Sequence, residues 1–411
     1  MQTHLTPEFG GTREGDEAQA IIRKCVHCGF CNATCPTYQL LGDELDGPRG
    51  RIYLIKQVLE GAAPTRITQQ HLDRCLTCLN CQTTCPSGVE YGHLVDIGRK
   101  IVDARVARPA QERTIRWLLK EGLTSPLFAP AMRMGRALRP LLPDILKKKV
   151  TAPPRGARRG AASSHGRRVL ALRGCVQPAM FPNIDRAAAR VLDRAGIAID
   201  YAGAAGCCGA VRSHLGDASG GLEDMRRNID AWLPMLADGK EAIIATASAC
   251  SLAIKEYGHA LAGDARYAAA AAQVSSQARD LSELLPDIVR ALQGKLRPAP
   301  QRLVFHSPCT LQHGQKLRGG VEAHLRALGF DLRVPVADGH LCCGSAGTYS
   351  ILQPVLAEQL RDRKLTLLAG LEPDAIISAN VGCIQHLQSG TLVPVKHWIE
   401  VLDEALPAAE H

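Results

Sequence analysis

The rhythm of apolar and polar positions changes twice along the chain. In "DEAQAIIRK", "GRIYLIKQVLEG" and "HLVDIGRKIVDARV" apolar residues recur every three to four positions, which predicts short helices with turns between them. Residues 109–150 include "ERTIRWLLKEGLTSPLFAPAMRMGRALRPLLPDILKKK", where apolar residues alternate with Arg and Lys at near-helical spacing. Pro126, Pro130, Pro140 and Pro143 are expected to cut this stretch into short helices. "VTAPPRGARRGAASSHGRR" follows, poor in apolar residues and rich in Pro, Gly, Arg and Ser, and reads as a linker. Beyond it the pattern becomes that of buried strands alternating with helices. "RVLALRGC", "IAIDYAG" and "EAIIATASAC" read as strands, "NIDRAAARVLDRAG" as a helix, and a further helix is expected after Cys250. "RLVFHSPC", "GGVEAHLRALG", "FDLRVPV" and "DAIISANVGC" repeat that order.

Strand–helix alternation predicts parallel βαβ units. The expected fold class is therefore α+β multidomain: a small helical module over 1–108, a basic amphipathic segment over 109–150, a linker over 151–167, and two homologous α/β repeats over 168–296 and 297–411.

Composition narrows the partners. Aromatic residues are 4% of the chain, too few for base-stacking platforms, and no nucleic-acid motif occurs, so nucleic acid is not an expected ligand. The net charge of +9 suits an anionic membrane surface or an acidic subunit. Near the segment's start Trp117, Leu118, Leu119, Leu127 and Phe128 offer an apolar side, and Arg133, Arg136, Arg139, Lys147, Lys148 and Lys149 a cationic one. That pairing predicts peripheral association with anionic lipid. No secretory signal opens the chain and no run of 18 apolar residues occurs, so the expected location is the cytoplasm, at the inner face of the membrane. No GxGxxG opens a helix after a strand, and neither a flavin site nor a hydroxy-acid site is recognisable.

The cysteines carry the chemistry. All sixteen fall into four groups, and clustered thiols in a reducing compartment favour metal or redox roles over bridges. "CVHCGFCNATCP" places Cys25, Cys28, Cys31 and Cys35 ahead of Pro36, and "CLTCLNCQTTCP" places Cys75, Cys78, Cys81 and Cys85 ahead of Pro86. This is the run of bacterial-type two-cluster ferredoxins, in which the fourth cysteine ligates the other cluster. Two 4Fe–4S clusters are expected, one on Cys25, Cys28, Cys31 and Cys85, the other on Cys75, Cys78, Cys81 and Cys35. Gly29 is expected to let backbone N–H groups approach the cluster sulfides. Two zinc ribbons would use CxxC pairs, but have no use for the third cysteine of each run or for the closing Cys-Pro.

Cys175, Cys207, Cys208 and Cys250 recur as Cys309, Cys342, Cys343 and Cys383 at offsets of 134, 135, 135 and 133. Each cysteine group follows a predicted strand, and open α/β sheets build their sites at the carboxyl ends of strands. A further iron–sulfur cluster, zinc or an empty thiol group are the three readings of each repeat. His306, close before Cys309, is a candidate metal ligand or proton donor to a quinone.

With "AAGCCGAVRS" and "GHLCCGSAGTYS" the repeats resemble the cysteine-rich CCG domain of heterodisulfide reductase and related iron–sulfur subunits. They depart from that pattern at Ala247 and Asn380, where the family has the first cysteine of a final CxxC. The whole chain, with "GPRGRIYLIK" and "HLCCGSAGTYSILQP", resembles the iron–sulfur subunits of bacterial glycolate oxidase more than those of anaerobic glycerol-3-phosphate and lactate dehydrogenases. The resemblance implies electron relay from a separate FAD-bearing subunit, which oxidises the 2-hydroxy acid, onward to membrane quinone. The other reading is a thiol–disulfide enzyme of the heterodisulfide reductase kind.

Overall fold

Helix Arg13–Lys24 is set at both ends by its own sequence. Thr12 accepts the Gly15 N–H, Glu14 and Asp16 face the positive end of the helix dipole, and Arg23 and Lys24 face the negative end. Its buried stripe, Ala18, Ile21 and Ile22, meets Ile52, Ile55 and Leu59 of helix Pro48–Leu59 and Leu94 and Val95 of helix Tyr91–Arg105 in one core. Cys25, Cys75 and Cys81 belong to that same core. Helix packing thus fixes the turns that carry the thiols. The computed structural model describes residues 1–139 and 165–407.

Two helices follow, Ala110–Thr124 and Phe128–Ala137, and neither has a buried residue. Pro126 separates them as expected, whereas Pro130 lies in the first turn of the second helix. There its missing N–H would have had no partner in any case. Pro140, Pro143, Lys147, Lys148, Lys149 and nearly all of the linker lie outside the described residues.

Each repeat is a four-stranded parallel sheet. In the first, β1 (Arg167–Ala171), β2 (Ile197–Asp200), β3 (Ile243–Ala245) and β4 (Ala278–Asp280) run in the order β2-β1-β3-β4. In the second, β5 (Leu303–Phe305), β6 (Leu332–Arg333), β7 (Ala375–Ser378) and β8 (Val395–His397) run in the order β6-β5-β7-β8. All neighbouring pairs are parallel. β3, β5 and β7 are buried throughout, as expected of strands covered on both faces. Chain order reverses between β1 and β3, and again between β5 and β7. Such switch points are where α/β sheets bind ligands.

The repeats share a core. Val169, Ile184 and Ile288 of the first pack with Val304, Ile377 and Trp398 of the second. The Ser248 N–H donates to Ala379 O at 3.0 Å, and the buried His397 bridges the two sheets. Its Nδ1 accepts the Ile399 N–H at 3.1 Å and its Nε2 donates to Thr246 O at 2.9 Å. Burial lowers the His397 pKa to about 3, so the ring stays neutral and keeps the tautomer those two bonds require.

Candidate metal centres

In the first cysteine run, Cys25 ends helix Arg13–Lys24 and Gly29 begins the short helix Phe30–Ala33 that carries Cys31. Gly29 has φ +84°, and the equivalent residue of the second run, Leu79, has φ +61°. The position therefore demands a left-handed backbone, and Leu79 shows that a side chain fits there at a cost of about 1 kcal/mol. Left-handed geometry is what the two positions share; at Gly29 a Cβ would also stand 2.9 Å from Arg49 Nη1, which would have to move.

The two runs exchange their fourth cysteines. Cys25, Cys28, Cys31 and Cys85 line one cavity, together with Cys81 of the second run and with Val26, Phe30 and Ile52 among its apolar walls. Burial, and then Cys25, Cys28 and Cys85, push the Cys31 thiol up to about 11. Cys81 is raised further by burial and by Cys78, Cys75 and Cys35 around it. Crowded sulfurs of which several are buried repel one another as thiolates, and a cation that joins them relieves this, which suits a metal cluster.

Their surroundings differ. At the first group Cys28 is exposed, and Val26 (68%) and Phe30 (62%) present apolar surface beside it. The second group lies against a buried charge network. Asp46 is fully buried; its Oδ1 lies 3.4 Å from Arg51 Nη2 and 3.0 Å from His71 Nδ1, and its Oδ2 lies 2.7 Å from Arg74 Nη1. Arg51, itself buried, also donates to Thr37 Oγ1 at 3.2 Å, and that hydroxyl stands 3.3 Å from Cys35 Sγ. Burial works to lower the Arg51 pKa, but Cys75, Tyr91, Cys35 and Asp46 hold it above the usual value. Tyr91 Oη and the Thr77 N–H donate to Cys75 Sγ at 3.6 and 3.4 Å. Asp46 and Arg51 are not marked by any motif. Their one signal in the sequence is an arginine on the apolar face of "GPRGRIYLIK".

In the first repeat the four thiols converge past the carboxyl ends of β1, β2 and β3. Cys175 Sγ lies 3.5 Å from Cys207 Sγ, and the chain of contacts continues through Cys208 to Cys250. Hydrogen bonds from Cys175 and Cys208 favour the thiolate of Cys207, while the same contacts and burial push Cys175 and Cys208 well above the thiol range. Cys250 occupies the first turn of helix Ser248–Lys255, so that helix begins before this cysteine rather than after it. Ala247 is its N-cap.

The second repeat arranges Cys309, Cys342, Cys343 and Cys383 in the same way. Cys383 lies in the first turn of helix Val381–Gln388, capped by Asn380, whose Nδ2 donates to Cys383 Sγ at 3.6 Å. One contact has no counterpart in the first repeat: Cys309 pairs with Cys78 of the helical module. Leu76, Tyr349, Leu356 and Leu360 enclose that junction. His306 is buried behind it, with its pKa lowered to about 3 by burial and then by Lys364. The uncharged ring suits a ligand better than a proton donor.

The glycine of each Cys-Cys-Gly is fixed by space and backbone together. Gly344 has φ +87°, and a Cβ there would stand 2.5 Å from Ala357 O. Gly344→Ala is expected to destabilise the protein by about 3 kcal/mol, from left-handed strain plus overpacking. A urea titration reads this directly, and an unchanged midpoint would contradict it.

Comparison with known proteins agrees with this geometry. The 4Fe–4S dicluster domain family matches residues 21–89, and the cysteine-rich domain family matches residues 169–255 and 303–388. The fold and its thiol groups define an iron–sulfur protein with a dicluster domain followed by a duplicated cysteine-rich domain. The chain is 53% identical over 407 residues to the glycolate oxidase iron–sulfur subunit of Escherichia coli (strain K12), covering 99% of each chain. It is 27% identical over 405 residues to the probable glycolate oxidase iron–sulfur subunit of Bacillus subtilis (strain 168), covering 91% of this chain and 90% of that one. To a lactate utilization protein of Geobacillus thermodenitrificans (strain NG80-2) it is 27% identical over 238 residues, covering 56% of this chain and 95% of that one. The chain belongs to the family of glycolate oxidase iron–sulfur subunits.

Proposed function

We propose that this chain is the electron-relay subunit of a membrane-associated, FAD-dependent glycolate dehydrogenase. Cys25, Cys28, Cys31 and Cys85 hold one 4Fe–4S cluster, and Cys35, Cys75, Cys78 and Cys81 hold the other. Such clusters supply one-electron transfer and no bond chemistry of their own. Glycolate is oxidised on the flavoprotein partner, and quinone is the final acceptor. The observation that carries this reading is a succession of neighbouring thiols that leads from one module to the next. It starts at the exposed rim of Cys28, passes Cys31 and Cys81 within electrostatic reach of each other, and continues through Cys78 to Cys309. The apolar rim of Val26 and Phe30 suits flavoprotein docking.

The helices Ala110–Thr124 and Phe128–Ala137 supply the membrane contact, at the cytoplasmic face. Trp117, Leu118, Leu127, Met134 and Leu138 are exposed on or beside them. Arg136, expected on the cationic face, instead donates to Ala179 O and Met180 O at 2.8 and 2.6 Å, which fastens the second helix to the first repeat. No helix among the described residues is long and apolar enough to cross a membrane.

The test is co-expression with FAD-containing glycolate oxidase subunits, followed by glycolate-driven quinone reduction and sedimentation with anionic liposomes. Quinone reduction that requires this chain, and liposome binding that falls with salt, are the expected results. Glycolate oxidation by the isolated chain would overturn the relay reading, and absence of liposome binding at low salt would overturn the membrane contact. A thiol–disulfide activity is the second reading, favoured by the partly exposed Cys175, whose sulfur lies 3.5 Å from Cys207 Sγ. Disulfide reduction by the isolated chain would establish it.

A further inference from the structure

The two thiol sites are duplicates whose surroundings are not. At the repeat offset, His306, Ser378 and Asn380 stand where the first repeat has Leu172, Ala245 and Ala247. Three apolar positions of one repeat are thus polar in the other, and all three gather at the same thiols. Asn380 donates to Cys383 Sγ. Ser378 Oγ donates to the His306 carbonyl at 3.0 Å, which leaves its lone pairs to accept from His306 Nδ1 at 3.1 Å. His306 therefore carries its proton on Nδ1 and keeps a free lone pair on Nε2.

That lone pair has no protein partner. His306 is 2% exposed, and its Nε2 is buried without a hydrogen bond. A buried polar atom left unsatisfied is rare and costs stability unless something fills its coordination. A His306 ring nitrogen and the sulfurs of Cys343 and Cys383 all lie within 4.8 Å of one another. With Nδ1 held by Ser378, Nε2 is the ring nitrogen left to ligate beside the two sulfurs, and a hydrogen bond to the other nitrogen is how proteins orient a ligating histidine. Both sulfurs are well placed to be anionic once a cation is present. Cys383 lies in the first turn of a helix, where the dipole favours negative charge, and the Asn380 amide donates to its sulfur.

We propose that the second repeat, unlike the first, holds a single borderline-soft divalent ion, zinc or ferrous iron, on His306 Nε2 and the thiolates of Cys343 and Cys383. Mixed nitrogen and sulfur donors suit that class of metal. Cys342, in contact with Cys343, is the thiol available as a fourth donor. The first repeat, with Leu172 in place of the histidine, offers sulfur alone. The site deepens the reading of this chain as an iron–sulfur relay, because Cys309 links its thiols to Cys78.

The experiment is elemental analysis of the full chain purified without oxygen, with acid-labile sulfide measured on the same sample. The expected result is about eight irons and eight sulfides from two clusters, plus about one further metal ion with no matching sulfide. X-ray absorption on that ion should show nitrogen at about 2.0–2.1 Å and sulfur at about 2.3 Å if it is zinc. His306→Leu, which installs the first-repeat residue, should lose this one ion and keep the eight irons. His306→Cys should retain it, with sulfur in place of nitrogen. A wild-type chain with no metal beyond the two clusters would overturn the proposal, as would His306→Leu retaining the full complement. Extra iron accompanied by extra sulfide would replace the single ion with a cluster. Fewer than eight irons with the extra ion still bound would strike the two-cluster reading and leave this site standing.

Discussion

Replacing Cys85 with alanine should abolish the cluster of the opposite cysteine run. The expected iron content falls from about eight to about four per chain. The residual spectrum should match that of Cys28→Ala and differ from that of Cys78→Ala, and Cys35→Ala should give the reverse pairing. Glycolate-driven quinone reduction should fall by more than the roughly 100-fold typical of losing an outer-shell partner. The basis is geometric: Cys85 lines a cavity with Cys25, Cys28 and Cys31 and lies close enough to act on the Cys31 thiol, while Cys35 lies with Cys78 and with Cys81, which closes the inner side of that cavity. Electron paramagnetic resonance of the reduced variants decides the matter. If Cys85→Ala resembles Cys78→Ala instead, each run holds its own cluster and the crossing is wrong.

Arg51→Met should have the next largest effect, on stability and on potential together. It removes a buried guanidinium beside a buried carboxylate and two sulfurs, and breaking a buried pair from one side costs about 3–5 kcal/mol. Arg74 and His71 remain on Asp46, so a loss near the lower end, about 3 kcal/mol, is expected from denaturant titration. The cluster on Cys35, Cys75, Cys78 and Cys81 should also become harder to reduce, since a nearby positive charge has gone. Asp46→Asn removes a negative charge from the same network and should shift that potential the opposite way. A redox titration showing both variants moving in one direction would mean that the network acts by packing alone.

The sequence announces chemistry far better than neighbourhood. Two ferredoxin runs and a repeat with near-constant offsets are plain in it, because metal ligands need particular residue types at particular spacings. The parallel βαβ order is plain too, since β3 and β5 are wholly apolar and β7 is apolar as far as Ser378. β4 and β8 are not legible. They are as short as β3 and β5 but are not apolar runs, because Arg279 and Lys396 interrupt them and leave nothing that stands out from a loop. Pro130 misleads because a proline's effect depends on its place in the helix turn, which the sequence leaves open. The pairing of Cys309 with Cys78 and the ring of charge around Asp46 join residues far apart in the chain. No local pattern encodes them. His306 stands out by its nearness to Cys309, yet its tautomer depends on Ser378, 72 residues away.

Tyr349 Oη donates to Arg74 O at 3.2 Å and Asn80 Nδ2 donates to His340 O at 3.4 Å. These bonds close the helical module over the thiols of the second repeat, whereas Cys175 and Cys250 of the first repeat stay partly open to solvent. The two repeats are therefore expected to differ in exchange: a chelator added to the intact protein should strip the first repeat sooner than the second.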